Sequence, residues 1–145
     1  MMGGVDANPV LAQVILCDAA VADPSGKVHM LGAGWSVTGT PTSPQAVAVL
    51  LKVPWDRANM PLPLTIQLFN QDGRAVLVTE PHGDVVPVRG DGVIEVGRPA
   101  GLALGSMLDA AWVLNVGPLP LAPGRYEWRL TFADLDVPAP FTVRA

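Results

Sequence analysis

Between Arg125 and Phe132 the chain alternates without a fault. Tyr126, Trp128, Leu130 and Phe132 take every second position, and Arg125, Glu127, Arg129 and Thr131 fill the places between them. Successive side chains of a β-strand point to opposite faces, so this run predicts a strand with one apolar and one polar face. A helix would scatter the same apolar residues around its circumference. A sheet that is dry on one side and wet on the other is characteristically antiparallel, which directs the reading toward an all-β fold.

The same period recurs along the chain. Leu64, Ile66 and Leu68 alternate with Thr65 and Gln67 in a half-buried strand. Gln45 to Val53 carries Val47, Val49, Leu51 and Val53 on one face and Ala46, Ala48, Leu50 and Lys52 on the other. A strand apolar on both faces is central or covered. Gln13 to Ala22 and Lys27 to Val37 read as a hairpin closed by Asp23-Pro24-Ser25-Gly26, which has type I turn chemistry. Gly32 and Gly34 predict a bulge or bend near Trp35. Asn70-Gln71-Asp72-Gly73 reads as a turn between the Leu64 strand and a partner at Ala75 to Thr79. Pro81 to Gly92 reads as an irregular connection, Val93 to Val96 as a short strand, and Gly97 to Gly105 as a Gly/Pro-rich crossover. Ala110 to Val116 is a further strand. Val137 to Val143 closes the fold, and Pro138 and Pro140 restrict it to an edge.

Eight or nine short strands with no helical period of useful length predict a sandwich or small barrel. The chain has 145 residues, enough for one domain over 1–145 that buries roughly two thirds of its unfolded surface. Its 15 Pro and 15 Gly fall between apolar runs, where they punctuate strands. The lone Cys17 cannot close an internal disulfide. Half of the residues are apolar and 15% are charged, which points to a surface partly covered by a partner.

Nine Lys and Arg stand against thirteen Asp and Glu, giving a net charge of −4, and the basic residues never cluster. Nucleic acids and anionic membranes require a basic stripe, so neither is expected as a partner. The start, Met1 to Asp6, lacks the positive region of a signal peptide, and no apolar stretch approaches a membrane span. The expected location is the cytoplasm, or a particle assembled there. The bias toward Ala, Val, Gly, Pro and Arg is that of a high-GC genome, such as an actinobacterial one.

Leu121-Ala122-Pro123-Gly124-Arg125-Tyr126 resembles the corner before strand F in fibronectin type III and related immunoglobulin-like domains. That resemblance implies an immunoglobulin-like antiparallel β-sandwich. It further implies that Pro123 and Gly124 build a turn between the sheets while the Tyr126 hydroxyl bonds nearby backbone and its ring packs inward. Trp128 shares that face by alternation. Over its whole length the chain is similar to a family of bacterial and bacteriophage domains with no assigned activity. The residues that carry this are Leu16-Cys17-Asp18-Ala19, Gly26 to Trp35, Val53-Pro54-Trp55-Asp56 and Pro118 to Trp128.

Catalytic and metal-binding sets are sparse. Cys17 and His29 lie on neighbouring expected strands, but a Cys-His dyad also needs an orienting group and an oxyanion donor. His82 and Asp84 share a turn, yet one histidine and one aspartate fall short of the three or four ligands of a zinc site. Arg89-Gly90-Asp91 reads as a tripeptide in a Gly-rich turn. Gly101 to Gly105 opens no helix and is no dinucleotide fingerprint. No cofactor and no catalytic residue is expected. The loop holding Trp55, Asp56, Arg57, Asn59 and Met60 combines residue types enriched in interface cores and is the expected partner-binding segment. The competing reading has Asp56 capping backbone amides and Trp55 folding back as a core lid. The expected function is a non-catalytic protein-binding or assembly module, with a protein partner or a second copy. A narrower alternative is a capsid-decoration or tail-associated component of a phage particle, and a competing one is a small-ligand binder or enzyme using Cys17, His29 and Asp84.

Overall fold

A computed structural model describes residues 9–145 and is a β-sandwich. The strands are β1 (Leu11–Cys17), β2 (Ala19–Ala22), β3 (Val28–Leu31), β4 (Val37–Thr38), β5 (Gln45–Val53), β6 (Leu62–Asn70), β7 (Leu77–Thr79), β8 (Val85–Pro87), β9 (Arg89–Ile94), β10 (Leu108–Val116), β11 (Gly124–Phe132) and β12 (Leu135–Val143). A three-stranded sheet in the order β1-β5-β10 faces a five-stranded sheet in the order β4-β12-β11-β6-β9. The remaining strands form two separate hairpins, β2-β3 and β7-β8. Among the described residues no helix is long and apolar enough to cross a membrane. The reading of Met1 to Asp6 lies outside the described residues.

The core lies where the alternating faces meet. Val47, Val49, Leu51 and Val53 of β5 pack against Leu64, Ile66 and Leu68 of β6 and against Trp128, Leu130 and Phe132 of β11. The polar face of β11 stays wet, and there Arg129 pairs with Asp136 and Glu127. One polar contact crosses the dry interior: Trp128 Nε1 donates to Gln45 Oε1 at 2.9 Å. Gln45 Nε2 in turn lies 3.5 Å from Thr42 Oγ1, which accepts from Leu119 N–H at 2.9 Å. A buried amide or indole without a partner costs free energy, and this chain of bonds removes that cost.

The second apolar face of β5 is explained by the β2-β3 hairpin. Ala46 and Ala48 form a separate buried cluster with Cys17 of β1 and Ala20 of β2, flanked by Ile15, Val28, Met30 and Val113. Small residues there let the hairpin lie close on the outer face of the three-stranded sheet. The side-chain amide of Asn115 fastens it, donating to Ala20 O at 2.9 Å and accepting from Ala20 N–H at 3.2 Å. The expected long strands Gln13–Ala22 and Lys27–Val37 are corrected by this arrangement. The first is bent at Asp18, and only Ala19–Ala22 pairs with Val28–Leu31. Asp18 N–H reaches Leu31 O at 2.8 Å and Gly34 N–H reaches Leu16 O at 2.7 Å, so the chain turns a corner between layers. Gly32 permits it: its φ is 61°, and a Cβ there would overlap the Asp18 carboxylate.

Two further expectations change. Ala75 to Thr79 is not the ladder partner of β6; only an isolated bridge joins Phe69 and Ala75. Leu68 N–H bonds Val88 O at 2.9 Å, Val76 N–H bonds Leu68 O at 3.0 Å, and Val88 N–H bonds Val76 O at 3.0 Å. This three-way junction sends β7 and β8 out as their own hairpin. The stretch Pro81 to Gly92, read as irregular, therefore holds β8 and most of β9, and the Val93–Val96 strand begins earlier, at Arg89. Periodicity was obscured because Gly90 and Gly92 have no side chains to alternate. Their bareness is steric: a Cβ at Gly90 or Gly92 would meet the Trp112 ring at 2.8 or 2.6 Å. Trp112 from β10 thus seats on β9 across the sandwich.

β12 lies next to the two-residue β4, which pairs only with Thr142 and Val143. Thr142 and Arg144 direct their N–H groups away from β11, toward Ser36 O and Thr38 O. By strand periodicity the even-numbered residues of β12 all do so. Pro138 and Pro140 occupy two of those outward positions. They leave the β11 ladder intact and strip donors from the otherwise open edge, a known guard against edge-to-edge pairing.

Candidate functional site

The Trp55 loop begins as a single 3-10 turn, Trp55–Arg57. Trp55 is half-buried against the core. Arg98 stacks on its indole: Nε and Nη2 both donate to Trp55 O, at 3.1 and 2.6 Å, and the guanidinium carbon sits 4.8 Å from the ring centroid. Such cation–π stacking holds both groups. Asp56 makes no side-chain cap to this turn. Arg57 faces Asp134 at 3.9 Å. Asn59 adopts φ 60°, and its N–H bonds Val96 O at 2.6 Å, tying the loop to the segment after β9. Of the loop's residues, Asp56, Asn59 and Met60 are exposed, while Trp55 and Arg57 are engaged within the chain.

At the other sandwich corner, Tyr126 Oη donates to Ala122 O at 2.8 Å. The Tyr126 ring stacks on Phe141 at 5.8 Å, and Phe141 meets Trp35 edge-on at 5.5 Å. Trp128 is fully buried. Pro123 and Gly124 lead into β11, with Gly124 at φ 154°.

A stronger surface feature lies on β10. Leu16 C=O points away from β5, toward Gly34, so the odd-numbered residues of β1 face β5. Register then carries this parity across the sheet. Cys17 pairs with Ala46 and Val47 pairs with Leu114, so even-numbered β10 residues bond β5 and odd-numbered ones point outward. Among the described residues no backbone group bonds the outward N–H or C=O of Ala111, Val113 or Asn115. The same strand is apolar on both faces from Ala110 to Leu114, and Ala111, Trp112, Val113 and Leu114 are each only half-buried. On β5 an equally apolar pattern belongs to a central strand, whereas β10 stands at the edge of its sheet.

A groove of about 780 Å³ runs beside this edge, lined among others by Val93, Val96, Leu102, Met107 and Ala111. Val93 is 65% exposed, and Leu104, on the loop between β9 and β10, is 88% exposed. The groove meets the Trp55 loop through Gly97, where a Cβ would contact Asn59 Oδ1.

The sequence-derived chemical candidates do not converge. Cys17 is buried on the outer face of the three-stranded sheet, its Sγ 3.6 Å from Ala46 O. Desolvation, aided by the charge of Asp18, pushes its thiol pKa up, away from the reactive thiolate. His29 points the other way, outside the β2-β3 hairpin, 3.0 Å from Asp23. Asp23 is held well below the usual carboxylate range, first by the Ser25 hydroxyl and then by His29. His82 lies 3.0 Å from Glu80 and 3.2 Å from Asp84 on the exposed β7-β8 turn. The sequence reading missed Glu80. With it, three donor atoms lie within 4.8 Å, a set that can touch a cation while leaving its other positions to water. The i, i+2, i+4 spacing was the available signal. Arg89-Gly90-Asp91 is not in a turn: it opens β9, with Arg89 and Thr65 both on Asp91.

The edge of β10 was also missed as a site, because its position at an edge depends on pairing that periodicity does not encode. No protein-family model matches the chain, and no curated protein matches it.

Proposed function

We propose that the chain is a non-catalytic protein-binding or assembly module built on an immunoglobulin-like sandwich. The observation that carries the reading is the edge of β10, where an apolar run from Ala111 to Leu114 is half-exposed beside unpaired outward backbone groups. An open strand edge is a template for a further strand, and its main-chain groups supply affinity without chemistry. The groove with Val93 and Leu102, and the exposed Asp56, Asn59 and Met60 beyond it, extend the contact surface. The scattered positions of Cys17, His29 and Asp84 add nothing toward catalysis. Immunoglobulin-like kinship is supported by the Tyr126 hydroxyl bond to Ala122 O, which matches the tyrosine corner of that class.

A photo-reactive residue at position 111 tests the reading, with one at exposed Leu77 on the β7-β8 hairpin as control. Cross-linking to protein from 111 and not from 77 is expected in the producing cell. No cross-link from 111 contradicts it.

A further inference from the structure

We infer that the partner of β10 is the β10 of a second copy of this chain, joined across a two-fold axis into one continuous six-stranded sheet. The inference rests on the reading of β10 as the contact edge and adds the identity of the partner.

Four strands stand at the sheet edges, β1 and β10 in one sheet and β4 and β9 in the other. Gly34 N–H already bonds Leu16 C=O on the outward side of β1, and β9 carries the charged Arg89 and Asp91. The β12 edge, beyond the two-residue β4, and the β10 edge differ in kind. On β12 the chain places Pro138 and Pro140 at outward positions, where they remove donors. On β10 the outward positions are Ala111, Val113 and Asn115, which keep donor and acceptor alike. One edge is closed to strand addition and the other is left open.

An antiparallel edge is complementary to itself under a two-fold rotation, so no new surface is needed for a second copy. An axis through Trp112 opposes Ala111 with Val113 of the second copy, and Asp109 with Asn115 of the second copy. Outward-pointing residues then meet only outward-pointing residues, as hydrogen-bonded antiparallel pairs require. The register opposes no like charges. The single ionic group on the strand, Asp109, already pairs with Lys52. It also makes β10 central, one of the two environments that suit a strand apolar on both faces.

Sedimentation of the full chain over a concentration series tests this, with Val113→Pro as the main variant. Proline at 113 removes an outward N–H and leaves the β5 ladder intact, as Pro138 and Pro140 do on β12. Ala111→Lys, on the half-exposed outer face, is the second variant should Val113→Pro fail to fold. Wild type is expected to sediment at twice the chain mass, and a folded variant at the chain mass, with its dimerisation constant weakened at least tenfold. A wild type that stays monomeric at every concentration overturns the inference, and so does a dimer indifferent to both substitutions. The cross-link from position 111 separates the two levels. A product of twice the chain mass supports both; a product of another mass overturns the second copy and keeps the binding reading; no product removes both.

Discussion

The indole N–H of Trp128 meets the side-chain oxygen of Gln45 at 2.9 Å in the middle of the sandwich, joining β11 of one sheet to β5 of the other. Both residues are almost fully buried, and Gln45 is one of only two buried polar residues among those described. Gln45→Leu keeps the approximate volume and orphans the indole. It should lower unfolding free energy by about 1–3 kcal/mol, the cost of an unsatisfied buried donor, measured by denaturant titration. Trp128→Phe combined with Gln45→Leu should lose less than the sum of the two single substitutions.

Gly92 should tolerate no side chain. A Cβ there would stand 2.6 Å from Trp112 Nε1. Gly92→Ala is expected to destabilise by about 1–3 kcal/mol through overpacking. Trp112→Phe should recover part of that loss in thermal unfolding, because the smaller ring vacates the contact.

Tyr126→Phe removes the bond to Ala122 O, which lies at the surface. The expected loss is about 1 kcal/mol. Cross-linking from position 111 should be unchanged.

Cys17 should resist thiol reagents in the native state. Burial raises its pKa and excludes the reagent together. Labelling at neutral pH is expected to track global unfolding in denaturant. Rapid labelling of the folded chain would show that the β2-β3 hairpin lifts from Ala46 and Ala48.

The β2-β3 turn should loosen in acid. Asp23 has a folded pKa below its unfolded value, so its contribution is complete above the ordinary carboxylate range and is lost as pH falls through the folded pKa. Ser25 and Lys27 amides, which bond Asp23, should exchange faster below about pH 4 than extrapolation from neutral pH gives. Asp23→Ala should abolish that extra acid dependence.

Much of the fold was legible because its strands alternate. The faces of β5, β6 and β11 follow directly from side-chain period, and the two-sided apolarity of β5 foretold a covering layer, which proved to be the β2-β3 hairpin. What stayed hidden depended on contacts distant in sequence. Asp18 breaks a run that reads as one strand, Gly90 and Gly92 read as a turn until Trp112 is seen above them, and Glu80 joins His82 only when the β7-β8 turn closes. The site followed the same rule. Composition signalled a covered surface, and the Trp55 loop looked suited to it. Arg98, remote in sequence, instead occupies that indole. Ala110 to Leu114 shows the same two-sided apolarity as β5, but only the pairing order places it at an edge.

Amide hydrogen exchange at Ala111 and Val113, followed from dilute to concentrated protein, tests the role of the β10 edge most directly. Trp112, bonded inward to β5, supplies the internal reference. The expected result is slow exchange at all three positions in concentrated protein, with Ala111 and Val113 alone accelerating on dilution. Fast exchange of Ala111 and Val113 at every concentration, and equally in extract of the producing cell, would contradict β10 as a binding edge.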